Sequence, residues 1–211
     1  MGESFPELSE IVPEYRSANP LVRWLFHERL ERAFKFAGLD GPQVLKVLDL
    51  GCGEGLALKK IQERWPRHEL TGIDHNPNLE KIKISGTELK NTDLTAPGAL
   101  PKEAFERILC LDVLEHIRDL KIPLESIRSS LKPSGLLVIS APAENVFHKT
   151  CRFLIKGTFS EKAGPCSSPH FHRAATLRRD IVAAGFKEVR AAALPLPGPL
   201  ALIWVCAFRK T

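Results

Sequence analysis

Val47-Leu48-Asp49-Leu50-Gly51-Cys52-Gly53-Glu54-Gly55 decides how the rest of this sequence is read. An aliphatic run from Val44 predicts a short buried strand that breaks at three alternating glycines, and residues 56–65 then carry helical spacing and good helix formers. Strand, glycine turn and helix in that order bring bare backbone to a helix N-terminus, where a ligand can lie against the main chain. A dinucleotide-binding turn needs G-x-G-x-x-G, but Gly55 comes one residue early and Leu56 fills the expected place. The spacing therefore disfavours NAD.

Downstream, residues 69–74 predict a second strand ending in Asp74, 23 positions after Gly51. Nucleotide-binding α/β folds hold ribose hydroxyls with an acid at about this distance. The same Asp also suits a helix cap before Asn76-Pro77. A short helix to about residue 85 and a third strand over 87–93 follow, with Asp93 also reading as a turn residue before Pro97-Gly98. The fourth strand, 105–111, runs into Asp112-Val113-Leu114-Glu115-His116-Ile117-Arg118-Asp119. A helix over 122–131, a fifth strand over 136–140, a helix over 172–184 and strands over 187–192 and 200–208 complete an alternation that predicts a mostly parallel sheet.

Upstream, Leu21, Trp24, Leu25, Leu30, Ala33, Phe34 and Ala37 recur at helical spacing between Pro20 as a start and Gly38 as a stop. Residues 191–208 carry no charge, yet Pro195, Pro197 and Pro199 would break a membrane helix at its middle, so strand, proline loop, strand is expected there. The chain of 211 residues suits one domain. Its expected division is 1–43, an arm and helix packing on the core, and 44–211, the domain proper. Within the latter, 141–171 is a long insertion in which apolar and basic residues interleave, fit for a lid or a membrane-surface element.

A net charge of +5 without any dense Lys/Arg run is compatible with an anionic ligand, a membrane surface or nucleic acid and does not choose among them; a small-molecule acceptor, not nucleic acid, is the expected partner. Residues 1–20 have no apolar core of a signal peptide, and five cysteines make an odd set unlike a disulfide framework; a reducing cytoplasm is the expectation.

With Asp49 two residues before Gly51, the opening stretch resembles the D-x-G-x-G-x-G motif of class I S-adenosylmethionine-dependent methyltransferases. The D-V-L-E-H-I-x-D string from Asp112 resembles the small-molecule branch, of type 11/12, which includes the ubiquinone-biosynthesis O-methyltransferases. Asn19-Pro20-Leu21 points the same way. The resemblance implies a single Rossmann-like, doubly wound α/β domain with a seven-stranded, mostly parallel sheet ending in an antiparallel hairpin. It implies S-adenosylmethionine as cofactor, held by Asp49, Gly51, Cys52, Gly53 and Gly55 at its aminoacid end and by Asp74 and His75 at the ribose. Asp93 and Leu94 would meet the adenine, while Leu111 and Asp112 would lie near the methyl group. It further implies an arginine near the first helix that contacts the cofactor, for which Arg16 and Arg23 are the candidates.

The expected reaction is methyl transfer to a small hydrophobic acceptor, most plausibly at oxygen; the alternatives are an N-methyltransferase of nucleic acid or protein and a non-catalytic cofactor-binding partner subunit. Alignment supplies most of the help such a displacement needs, so no strong catalytic constellation is required. If a phenol is the acceptor, a histidine is the natural base, with His116 first and His148, His170 and His172 as alternatives. His148, Cys151, Cys166, His170 and His172 do not match the usual zinc-ligand spacings, and no carboxylate cluster suggests magnesium, so no metal is expected.

Overall fold

The computed structural model describes residue 15, residues 17–145 and residues 170–211. Helix α1 (Pro20–Ala37) starts where Asn19 accepts a hydrogen bond from the Leu21 N–H at 3.0 Å, and it ends at Gly38 in the left-handed conformation, φ 66°. The expected start and stop signals both act. Then follow β1 (Lys46–Leu50), α2 (Leu56–Arg64), β2 (Glu69–Asp74), β3 (Thr87–Asn91), β4 (Phe105–Leu111), α3 (Lys121–Ser130), β5 (Leu131–Pro142), α4 (Ala174–Ala183), β6 (Phe186–Pro195) and β7 (Ala201–Lys210).

One seven-stranded sheet takes the order β3-β2-β1-β4-β5-β7-β6. Strands β1 to β5 are parallel, whereas β7 runs antiparallel between β5 and β6. The proline loop expected between the last two strands is there as a single 3₁₀ turn, Gly198–Leu200. No helix among the described residues is long and apolar enough to cross a membrane.

Alternation along the central strands feeds two core layers. Val47, Leu109, Val138 and Val205 pack with the apolar stripes of α1 (Leu30, Phe34) and α2 (Leu58, Ile61). Leu48, Ile108, Leu137 and Phe208 point the other way, onto α3 (Leu124, Ile127) and α4 (Leu177, Ile181). Helices thus cover both faces, and the sheet is doubly wound. Because α1 shares its core layer with α2, it is a structural part of the domain and not a loose appendage.

Two expectations needed correction. Between β2 and β3 the chain makes only a 3₁₀ turn, Leu79–Lys81, because Asn76, Pro77 and Asn78 favour turns: Asn78 N–H donates to Asn76 Oδ1 at 2.9 Å. Strand β5 begins at Leu131, five residues earlier than periodicity suggests, since a shift of register after Phe105 lets residue 131 pair before the Lys132–Gly135 turn. Ser134 carries that turn with φ 62°, a conformation usually left to glycine. Of the insertion expected over 141–171, residues 141 and 142 end β5, and 146–169, on which the lid reading falls, lie outside the described residues.

Candidate functional site

The strand order reverses between β1 and β4, and the carboxyl ends of β2, β1, β4 and β5 meet at one edge of the sheet. Parallel sheets of this kind leave a crevice at such an edge. The glycine turn crosses it. Gly51 N–H and Cys52 N–H both donate to the Ile73 carbonyl, at 2.7 and 3.1 Å, which ties the turn to the end of β2. A Cβ on Gly51 would stand 2.3 Å from Val113 Cγ2, so the turn and the segment after β4 touch through a position only glycine can fill. At Gly53, φ 55°, a Cβ would meet nothing within 4 Å: the loop there shows bare backbone to open space.

Asp74 closes this cradle. Its Oδ2 accepts from Gly53 N–H at 2.7 Å and its Oδ1 from Asn76 N–H at 2.9 Å, so it ties the glycine turn to the turn after β2. Asp49, two residues before the turn, is buried. Burial first, and then the nearby charge of Asp74, push its carboxyl up to about 7, against the opposing pull of Arg29. Burial likewise raises the Cys52 thiol well above its ordinary value, which makes it an inert wall of the loop.

The other candidates divide. His75 is exposed, with Nδ1 3.6 Å from Asp74 Oδ1. Asp93 is fully exposed and binds its own turn, accepting from Thr95 N–H at 2.8 Å and Thr95 Oγ1 at 2.7 Å; these bonds hold its carboxyl below the usual range. The turn therefore engages the side chain expected at the adenine, while the neighbouring Leu94 is half-buried against the α3/α4 core layer. Leu111 ends β4 half-buried, and Asp112 follows with φ 58°.

That left-handed Asp112 is clamped from three sides. Its N–H donates to the Ser140 carbonyl at 3.0 Å, Ser140 Oγ donates to its Oδ1 at 2.6 Å, and the Arg29 guanidinium pairs with its Oδ2. Arg29 also donates to the Tyr15 hydroxyl at 2.5 Å. Burial opposes the Arg29 charge, but Asp112 and Tyr15 overcome it and hold the guanidinium above its ordinary value. Arg29 is the arginine that α1 brings to this edge; of the two named from the sequence, Arg23 donates to the Ser17 carbonyl at 3.4 Å on the surface, and Arg16 lies outside the described residues. Position held the signal, because Arg29 interrupts the apolar stripe between Leu25 and Ala33.

Glu115 and His116 occupy a 3₁₀ turn, Leu114–His116, directly after β4. Burial, then the charge of Asp112, raise the Glu115 carboxyl well above its ordinary value. The His116 ring lies 4.7 Å from that of His170, centroid to centroid. His172 turns away, with Nε2 3.1 Å from the Arg118 carbonyl and Nδ1 3.8 Å from Asp180. His148, Cys151 and Cys166 lie outside the described residues.

A family model described as a methyltransferase domain matches residues 21–191. The chain belongs to the methyltransferase domain family. Its fold is that of the class I methyltransferases, which use S-adenosylmethionine. Over 108 residues, 48% of the chain and 41% of the relative, it is 30% identical to the ubiquinone biosynthesis O-methyltransferase of Bradyrhizobium diazoefficiens. It is also 30% identical, over 47% of the chain and 40% of the relative, to the trans-aconitate 2-methyltransferase of an Enterobacter species. The matches thus span about two fifths of the length of these curated relatives. Among solved structures, the N-methyltransferase NodS of Bradyrhizobium japonicum WM9, in complex with S-adenosyl-L-homocysteine, shares the fold with a TM-score of 0.64 at 20% identity, over 94% of this chain and 91% of that one.

The residues present fit that cofactor: a bare-backbone loop at Gly53, a carboxylate on the loop at Asp74, and a buried acid at Asp49. Gly53→Ala tests the cradle. Alanine can adopt φ 55° at a cost of about 1–2 kcal/mol and meets no protein atom, so the methyltransferase domain should lose only a few degrees of Tm. The expected loss of S-adenosylhomocysteine affinity is larger, at least about tenfold, because the added methyl stands in the cleft. Calorimetry beside a thermal melt reads both; equal small losses would place the ligand elsewhere.

Proposed function

We propose that this chain transfers a methyl group from S-adenosylmethionine to the oxygen of a small, hydrophobic acceptor. The observation that carries the cofactor half is the Asp74 carboxylate, at the end of β2, bound to Gly53 N–H in the turn after β1. When bound, the cofactor supplies an electrophilic methyl on a sulfonium. Asp74, already oriented by Gly53 and Asn76, keeps lone pairs for ribose hydroxyls, and Asp49 offers a buried carboxylate to the cofactor's ammonium. Arg29 acts as a positioning residue: it fixes Asp112, and so the turn that carries Glu115 and His116 beside the cleft.

Oxygen as the acceptor atom is supported by the ubiquinone O-methyltransferase relatives and by a histidine at the end of β4 as base. The N-methyltransferase among the structural neighbours keeps nitrogen as the second reading. A nucleic-acid acceptor finds less support. Phosphate contacts need exposed, unengaged basic side chains, whereas Arg178 makes a double hydrogen bond to Glu188 at 2.7 Å and lies 4.7 Å from the Trp204 ring centroid.

The test is calorimetric titration with S-adenosylmethionine, S-adenosylhomocysteine and NAD, followed by methyl-transfer assays on phenols, quinone precursors, polar acids and RNA. Binding of the first two alone and turnover on a phenol or enol support the proposal. Turnover on amines only would replace oxygen by nitrogen, and cofactor binding without turnover on any acceptor would favour a non-catalytic subunit.

Asp49 gives the binding a pH signature. Its folded pKa of about 7 lies above the ordinary 3.8, so the empty folded chain holds a proton that the unfolded chain has lost, and stability falls as pH rises through that window. A bound cation favours the carboxylate and expels the proton. Affinity should therefore rise between about pH 6 and 8, with release of roughly half a proton at pH 7. Heats measured at pH 7 in buffers of different ionisation enthalpy should differ accordingly, and Asp49→Asn should abolish the difference. Heats that do not depend on the buffer would remove Asp49 from the ammonium site.

A further inference from the structure

Beyond β4, three donors of metal-ligating chemistry converge. Glu115, His116 and His170 each offer one ligand atom, and these atoms lie within 4.8 Å of one another. Chain spacing does not announce the group: two members sit on the turn after β4, and the third arrives from a segment 54 residues later. What brings them together is a backbone bond, Phe171 N–H donating to the Glu115 carbonyl at 2.7 Å.

Two further observations set this cluster apart from a chance meeting of polar side chains. Glu115 is 1% exposed, and its Oε2 has no hydrogen-bond partner among the described residues. Leaving a buried acceptor in that state costs about 1–3 kcal/mol, more when it is charged, so a missing partner is implied. His170 Nδ1, in turn, lies 2.5 Å from Glu144 Oε1. A carboxylate on one ring nitrogen fixes the tautomer that presents the other nitrogen to an ion, and such partners accompany metal-bound histidines as a rule.

We propose that Glu115, His116 and His170 bind one divalent first-row transition-metal ion, with Glu144 as the residue that orients His170. Two imidazoles and one carboxylate suit Zn²⁺, Fe²⁺ or Mn²⁺; Mg²⁺ and Ca²⁺ favour all-oxygen sets. With Nδ1 taken by Glu144, coordination by His170 falls to Nε2. Three protein ligands leave at least one position open, as catalytic ions require and structural ones do not. On the oxygen-methylation reading, on which this last point alone rests, the open position receives the acceptor's oxygen beside the carboxyl end of β4, and the ion, by lowering that oxygen's pKa, takes the place of His116 as base.

The experiment uses the full chain, stripped of metal with a chelator and dialysed. Zn²⁺ affinity is read by competition with a chromophoric chelator, and Co²⁺ loading by visible absorption. One ion per chain is expected. His116→Ala and His170→Ala should each weaken Zn²⁺ by more than about 100-fold, and Glu144→Gln, which leaves all three ligands in place, by roughly 10–100-fold. Circular dichroism checks that each variant is folded; Glu144→Gln decides the matter if a histidine variant is not. The proposal is overturned if the stripped wild type takes up no ion, or if affinity is unchanged in the variants, which would put the ion on other residues such as His148, Cys151 and Cys166. S-adenosylhomocysteine binding, measured on the same metal-free protein, separates the two readings. Cofactor bound without zinc uptake sinks the metal site alone; zinc bound without cofactor sinks the methyl-transfer reading and leaves the metal site standing.

Discussion

Replacing Arg29 with methionine should destabilise the protein by about 3 kcal/mol, the lower end of the range found when one partner of a buried ion pair is removed, because the Asp112 side chain is 31% exposed and water can take up part of its charge. Methionine keeps much of the side-chain volume within the α1 stripe, so the loss is chiefly electrostatic. Asp112 would keep a charge with only Ser140 beside it, and the Tyr15 hydroxyl would lose its donor. For a domain of this size each kcal/mol shifts Tm by roughly 2–4 °C, so a fall of about 10 °C is expected. Adding Asp112→Asn to Arg29→Met should recover part of it, because the stranded charge is then gone. Urea unfolding of the two single variants and the double variant measures the coupling. A loss below about 1 kcal/mol for Arg29→Met would mean that α1 is held to the β4 turn by packing alone.

Asp74→Ala should lower affinity for S-adenosylhomocysteine by at least about 100-fold. Hydrogen bonds to a charged group contribute about 1.5–3 kcal/mol each, and every 1.4 kcal/mol is tenfold in affinity. Two effects combine here, the lost acceptors for the ribose and the lost hold on Gly53 N–H. Asp74→Asn separates them. Its amide oxygen can still accept from Gly53, which keeps the loop shape, but it binds a diol less strongly than a carboxylate, so an intermediate loss of about tenfold is expected. An alanine variant within threefold of wild type would refute the ribose role, whatever the loop does.

Much of this was legible without coordinates. Three glycines at alternate positions after an aliphatic run can be little else than a strand-to-helix turn, and all three have positive φ. Asp74 could be found because the turn and the acid lie on consecutive strands at a spacing that a single βαβ unit fixes. Sequence read the uncharged stretch over 191–208 correctly for a similarly local reason: proline forbids the helix that hydropathy alone suggests. Asp93 was harder. Its role depends on whether a side chain two residues beyond a strand faces a ligand or its own turn, and in the structure its Oδ1 accepts two bonds from Thr95.

Composition and local pattern determined the fold of this protein, because alternation, glycine spacing and helix caps act over a few residues and repeat along the chain. Tertiary structure decided which polar residues are buried together. Arg29 meets Asp112 across 83 residues, and His170 reaches the turn of Glu115 and His116 across more than 50. No local rule carries such pairings, since their energy comes from desolvated charge, and desolvation exists only once the sheet and its two helical layers have closed.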